Sequence, residues 1–169
     1  GYGNTGTATG SSGSNSSGPA AYNASLPDTD FTNDYARDFD GTDDYVDAGA
    51  APLNAIEGAT KATLAGWFKR DVTGDYISAG NRGSLTTNSF IINGFNDGNF
   101  YLNISTSSQQ YGYFASNDTN WHHITMVFDG TQSTNATKLK GYLDGVEQVL
   151  TFEGTLPSAL SSTLPNMFI

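Results

Sequence analysis

The chain has 169 residues, of which 20 are glycine, 12% aromatic, 14% charged and none cysteine. That balance suits one domain of short strands and many turns, and it excludes disulfides, thiolate metal sites and cysteine nucleophiles. A formal net charge of -10, from 7 basic and 17 acidic residues, argues against nucleic acid or anionic lipid as partners, and no stretch is long and apolar enough to insert in a membrane.

Residues 1–18, GYGNTGTATGSSGSNSSG, read as a Gly/Ser-rich arm or linker with a short edge strand near 5–9. They show no signal-peptide pattern. Without an initiator Met, the chain reads as a processed piece of something longer. Residues 19–169 read as one folded unit. Strands are expected at 35–39 and 45–48, flanking the acidic stretch DFDGTDDYVDAG, and at 61–69 and 75–79. Residues 52–58 suit one helical turn. SFIING (89–94) and NFYLNIS (99–105) form a hairpin around the turn FNDG. In the second of these, Phe100, Leu102 and Ile104 share the core face, which turns Tyr101 and Asn103 outward. Further strands are expected at 110–115, 121–128, 138–143 and 146–152. The last two are joined by Asp144-Gly145, a strong hairpin signal. Many antiparallel strands without a helical layer predict an all-β, two-sheet sandwich.

Four segments in order, ARDFDGTDDYVDAG (36–49), ATLAGWFKR (62–70), NWHHITMVFDG (120–130) and LKGYLDGVEQ (139–148), resemble the laminin G-like, concanavalin A-like lectin/glucanase superfamily in its bacterial and phage branch. Phe39, Gly41, Tyr45, Trp67, Trp121, Asp144 and Gly145 carry the likeness. GNTGTATG (3–10) is similar to the family's opening strand. The resemblance implies an antiparallel jelly-roll sandwich. It also implies a closing strand after NMFI (166–169) that these residues do not include; either the sequence is cut short of it, or the strand comes from elsewhere and an edge is left open.

Within DFDGTDDYVDAG (38–49), an EF-hand would need Gly sixth and Glu twelfth. Counting from Asp38, the glycines fall fourth and twelfth, so that geometry fails. Asp40, Asp43 and Asp44 remain calcium candidates, because the resembled superfamily often holds calcium at the sandwich rim; a plain strand-turn-strand is the simpler and favoured reading. No cofactor is required. For catalysis, the superfamily's glucanases alternate Glu, Asp and Glu on one strand. The only glutamates here, Glu57, Glu147 and Glu153, form no such trio, so no enzyme is expected and no catalytic residue is assigned. His122 and His123 are adjacent on a strand and point to opposite faces, one expected in the core near Trp121 and the other exposed. That arrangement does not suit a paired zinc site.

The remaining constellation is aromatic. Tyr111 and Tyr113 share a face of their strand, and beside Tyr101 and Asn103 they would form an aromatic and polar platform. Sugars bind such surfaces through CH groups on rings and hydroxyls on amides. Asn96 and Asp97 in the adjoining turn could add polar contacts. The expected function is a non-enzymatic binding or adhesion module for carbohydrate, on a larger extracellular, cell-surface or virion protein. The alternatives are a virion structural component, such as a capsid decoration or fibre domain acting through contacts with other subunits, and, third, a glycoside hydrolase.

Overall fold

The computed structural model describes residues 7–9, 39, 44–70, 77–81 and 87–169. Within these the elements are β1 (Thr7–Thr9), β2 (Tyr45–Gly49), α1 (Ala51–Asn54), β3 (Lys61–Phe68), β4 (Ile77–Asn81), β5 (Ser89–Gly94), β6 (Asn99–Ser105), β7 (Tyr111–Ala115), β8 (His122–Asp129), α2 (Asn135–Lys138), β9 (Leu139–Leu143), β10 (Val146–Gln148), β11 (Thr151–Glu153) and β12 (Met167–Phe168). They form two antiparallel sheets. One runs β1-β2-β12-β4-β5-β6-β7-β11 and the other β10-β9-β8-β3. No described helix is long and apolar enough to cross a membrane.

Alternation along the strands builds the core. Phe90 and Ile92 of β5, Phe100, Leu102 and Ile104 of β6, and Phe114 of β7 meet Ile124, Met126 and Phe128 of β8 and Leu139 of β9, all nearly inaccessible to solvent. The sheets approach closely at Gly141, where a Cβ would stand 2.7 Å from Leu102 Cδ1. Leu156, Leu160 and Leu164, in the irregular segment after β11, complete the same cluster. Phe68 at the end of β3 contributes a tilted ring contact with Phe100.

The FNDG turn forms as expected. Phe95 and Asn99 pair across it, and Gly98 takes a positive φ of 81°. Asp144 and Gly145 both have positive φ, 51° and 80°, the type I′ geometry that Asp-Gly favours. The expected helical turn appears as α1, with Pro52 in its first turn. The edge strand near the N-terminus appears as β1, paired with β2; the rest of residues 1–18 lies outside the described residues.

One expectation is corrected. The single strand 146–152 is two strands in different sheets: β10 pairs with β9, and β11 pairs with β7. Between them Leu150 packs on the core while Val149 is exposed. A strand cannot serve both sheets without a break, and the Val-Leu step is where the chain crosses. NMFI (166–169) supplies an interior strand, β12, which sits between β2 and β4 and pairs antiparallel with both. At the end of β4, Asn81 is buried. Its side chain accepts from Phe90 N–H and donates to Asn88 O at 2.7 Å, so a side-chain amide does there what a backbone ladder would otherwise do.

Gly80 is the tightest point of this junction. Its φ is +140°, and a Cβ there would lie 2.4 Å from Phe90 O and 2.6 Å from Ile91 Cα. Gly80→Ala should cost about 1–3 kcal/mol, the usual range for a core overpacked against rigid backbone. Gly145→Ala, with nothing within 4 Å, should cost only the left-handed backbone penalty of about 1–2 kcal/mol. Urea titrations of the two variants would check the order; a Gly145→Ala loss exceeding that of Gly80→Ala would contradict the packing described.

Candidate functional site

The strand register assembles the aromatic platform. Tyr101 is paired with Tyr113, and Asn103 with Tyr111, across β6 and β7. Because Phe100, Leu102 and Phe114 face the core, these partners all lie on the opposite face of the larger sheet. The Tyr101 and Tyr113 rings are stacked at 5.2 Å and 22°. Tyr111 stands edge-on to Tyr101 at 5.3 Å, and Phe95 does so at 5.0 Å from the other side. All three tyrosines are half-buried. Each is held by neighbours and keeps part of its surface to solvent.

The turn supplies the polar edge. Asp97 accepts from Tyr101 OH at 2.6 Å through one carboxylate oxygen and from Asn99 N–H at 3.0 Å through the other. The Tyr101 bond holds Asp97 below the usual carboxylate range. Reciprocally, that bond, with burial and the nearby negative charge, pushes the Tyr101 phenol up to about 12. Tyr111 is raised by burial first, then by the charge of Glu153, its β11 pairing partner, and by Tyr113 and Asp97. Asn96 is exposed in the same turn. Asn103 shares the platform face but is only 3% exposed, between Ile91 and Tyr111 on the neighbouring strands. It therefore supports the tyrosines from below and presents little surface of its own. The sequence reading missed Phe95 and Glu153, since both enter through cross-strand pairing.

A second constellation lies at the rim between the sheets. His122 is held between two carboxylates: Nδ1 contacts Asp144 Oδ2 at 2.7 Å, and Nε2 contacts Asp118 Oδ1 at 2.9 Å. Asp144 also accepts from His123 N–H through its other oxygen, at 2.8 Å. One imidazole thus ties the 118–120 loop to the β9–β10 turn. Burial alone would lower the His122 pKa, but the bonds and charges of Asp144 and Asp118 together raise it. The pKa of Asp118 is lowered by Asn120 N–H and then His122, and that of Asp144 by His122 and His123 N–H. The two ring nitrogens point in opposite directions, so no single ion could be ligated by all three groups. The His123 ring meets Trp67 at a tilted 58° on the outer face of the smaller sheet, with centroids 5.3 Å apart.

These positions correct the histidine expectation. Both histidines are half-buried, and Trp121 is 46% exposed, ahead of β8, with no place in the core. Of the calcium candidates, Asp40 and Asp43 lie outside the described residues, as does Gly41; Asp44 is half-buried just before β2. Among the described residues no three His, Cys, Asp or Glu side chains come together to hold a metal. The three glutamates are dispersed. Glu57 accepts from Leu164 N–H at 2.7 Å, Glu147 pairs with Lys140 at 2.8 Å, and Glu153 lies at the edge of the other sheet.

With this architecture in view, a laminin G-type family model of the concanavalin A-like lectin/glucanases superfamily matches residues 40–166. The chain belongs to that superfamily. Laminin G-like domains are generally non-catalytic, although the superfamily also includes glycosidases. Its sandwich is of a carbohydrate-binding type. No curated protein and no solved structure matches the chain at a significant level.

The clamp makes a definite pH signature. A His pKa raised on folding adds stability that is complete below the unfolded value of about 6.5 and is lost as pH rises through the folded value. The lowered Asp118 and Asp144 add stability present above about 3.9 that is lost as pH falls through their folded values. Melting temperature should therefore plateau near pH 4–6.5 and decline on the alkaline side, and His122→Gln should remove that alkaline decline. An unchanged pH profile in the variant would contradict the clamp.

Proposed function

We propose that this domain is a non-enzymatic carbohydrate-binding or adhesion module, carried on a larger extracellular, cell-surface or virion protein, and that Tyr101, Tyr111 and Tyr113 form its sugar-contacting surface. The supporting observation is the ring cluster itself: three tyrosines fixed by mutual contact and by Phe95, bordered by the Asn96-Asp97 turn. Pre-ordered rings offer apolar area to sugar CH groups at little entropic cost, while the phenols and Asp97 exchange hydrogen bonds with hydroxyls. The reading needs no cofactor, because every polar group invoked belongs to the chain. Dispersal of Glu57, Glu147 and Glu153 among separate elements supports the non-enzymatic part, since the superfamily's glucanases alternate Glu, Asp and Glu on one strand.

A second reading, a structural role through protein contacts in a surface or virion assembly, is favoured by a different observation. Trp67, Trp121, Val146 and Val149 are exposed by 52%, 46%, 64% and 95%, and exposed tryptophan is a frequent anchor of protein interfaces.

Calorimetric titration across a panel of oligosaccharides, with calcium and with chelator, tests the first reading. Tyr111→Ala should weaken binding roughly fivefold, from loss of about 1 kcal/mol of aromatic contact; absence of binding to any glycan in either condition would overturn it. The second reading expects self-association or partner capture that Trp67→Ser abolishes and Tyr111→Ala leaves intact, measured by sedimentation velocity. A strictly monomeric, partnerless domain would remove it.

A further inference from the structure

Two carboxylates border the tyrosine cluster. Asp97 accepts from Tyr101 OH at 2.6 Å, and Glu153 is the strand partner of Tyr111 on the other side. Thr151 and Glu153 face the same way as Tyr113 and Tyr111, because Phe152 between them packs on the core. Nothing cationic offsets these charges on the described part of this face. The sequence from 83 to 137 has no lysine or arginine. The described residues of β4 and β11 have none either. Arg70, the cation closest in the packing to β6, lies 4.6 Å over the Phe100 ring, on the core side of the strand. The phenol of Tyr111 registers both carboxylates, its ionisation being opposed by Glu153 and by Asp97.

This arrangement has a chemical consequence for the ligand. An ionised carboxylate only accepts hydrogen bonds. A neutral sugar presents hydroxyl donors, which suit it. A uronate or sulfate group has no donor to offer there and carries a like charge. On the carbohydrate reading above, the geometry points to a platform that accepts neutral glycans and excludes acidic ones, with Asp97 and Glu153 as the specificity-determining residues.

The test compares a neutral hexose oligosaccharide with an oligouronate of matched length and linkage, by calorimetry at low salt. The neutral ligand should bind about tenfold more tightly, the order expected for two like charges several ångströms away in a near-aqueous dielectric. The ratio should shrink as salt rises. Asp97→Asn and Glu153→Gln together should bring it close to one; the readout is the ratio, so a loss common to both ligands does not disturb it. A sulfated oligosaccharide should behave as the uronate does. Equal or tighter uronate binding by the native domain, or a ratio unmoved by the double substitution, would overturn the exclusion and leave the carbohydrate reading standing. Failure of both ligand classes across the panel would overturn the two together.

Discussion

The two-residue repeat of β6 is the constraint on which the molecule depends. Phe100, Leu102 and Ile104 are each at most 3% exposed, and together they form the middle of the contact between the sheets. Burying them turns Tyr101 and Asn103 to the opposite face. Each neighbour then inherits the same assignment through its register: Ile91 and Asn93 on β5, and Tyr111 and Tyr113 on β7. A slip of one residue in β6 would expose three core side chains and turn Tyr101 and Asn103 into the core. Core and platform are thus two sides of one pattern. The rigidity of the rings comes from a hydrophobic core that no ligand would touch.

Aspartate does most of the electrostatic work, and it does so at strand ends. Asp97, Asp129 and Asp144 each sit at a turn; the first two accept a backbone N–H from that turn, and Asp144 accepts one from His123 on β8. Each also reaches a side chain beyond the turn: Tyr101, Lys61 and His122 respectively. Asp129, in the second Phe-Asp-Gly of the chain, shows the device most fully. It accepts from Thr131 and Gln132 and pairs with Lys61 at 3.0 Å, closing the loop after β8 against the start of β3. Such exposed pairs add little stability individually. Their effect is geometric, fixing the turns that set strand register.

Much of this fold was legible in the sequence because its strands alternate cleanly and its turns use residues suited to positive φ. The hairpin around FNDG and the Asp144-Gly145 turn appear where their residues placed them. What was not legible depended on partners far along the chain. The break at Val149 and Leu150 follows from which sheet each half pairs with, and no local propensity marks it. The same holds for Glu153, which stands beside Tyr111 only because β11 pairs with β7. His122 was legible as a face assignment and not as a clamp. Asp118 lies four residues away, within reach of inspection, but Asp144 is brought over by the β8–β9 hairpin. Trp121, expected beside a core histidine, lies outside because Ile124, Met126 and Phe128 take the core-facing positions of β8 and leave the odd-numbered ones outward.

DFDGTDDYVDAG (38–49) shows how a family signature and a functional site come apart. Its described portion, from Asp44 onward, forms β2, whose work is architectural: Tyr45 meets the Phe168 ring edge-on at 5.5 Å, and Asp47 accepts from Gly49 N–H at 2.8 Å. The ring contact, with the pairing of β12 to β2 and β4, holds β12 inside the larger sheet, several strands away from the tyrosines. The platform residues, by contrast, fall in 95–105 and 109–116, inside the span of the family match but outside its four motif stretches. That division is physically reasonable. Turns and core positions are constrained by the need to close the sandwich, whereas the outward residues of β6 and β7 can vary without cost to it. The outward residues are therefore the place where one superfamily fold acquires a ligand preference of its own.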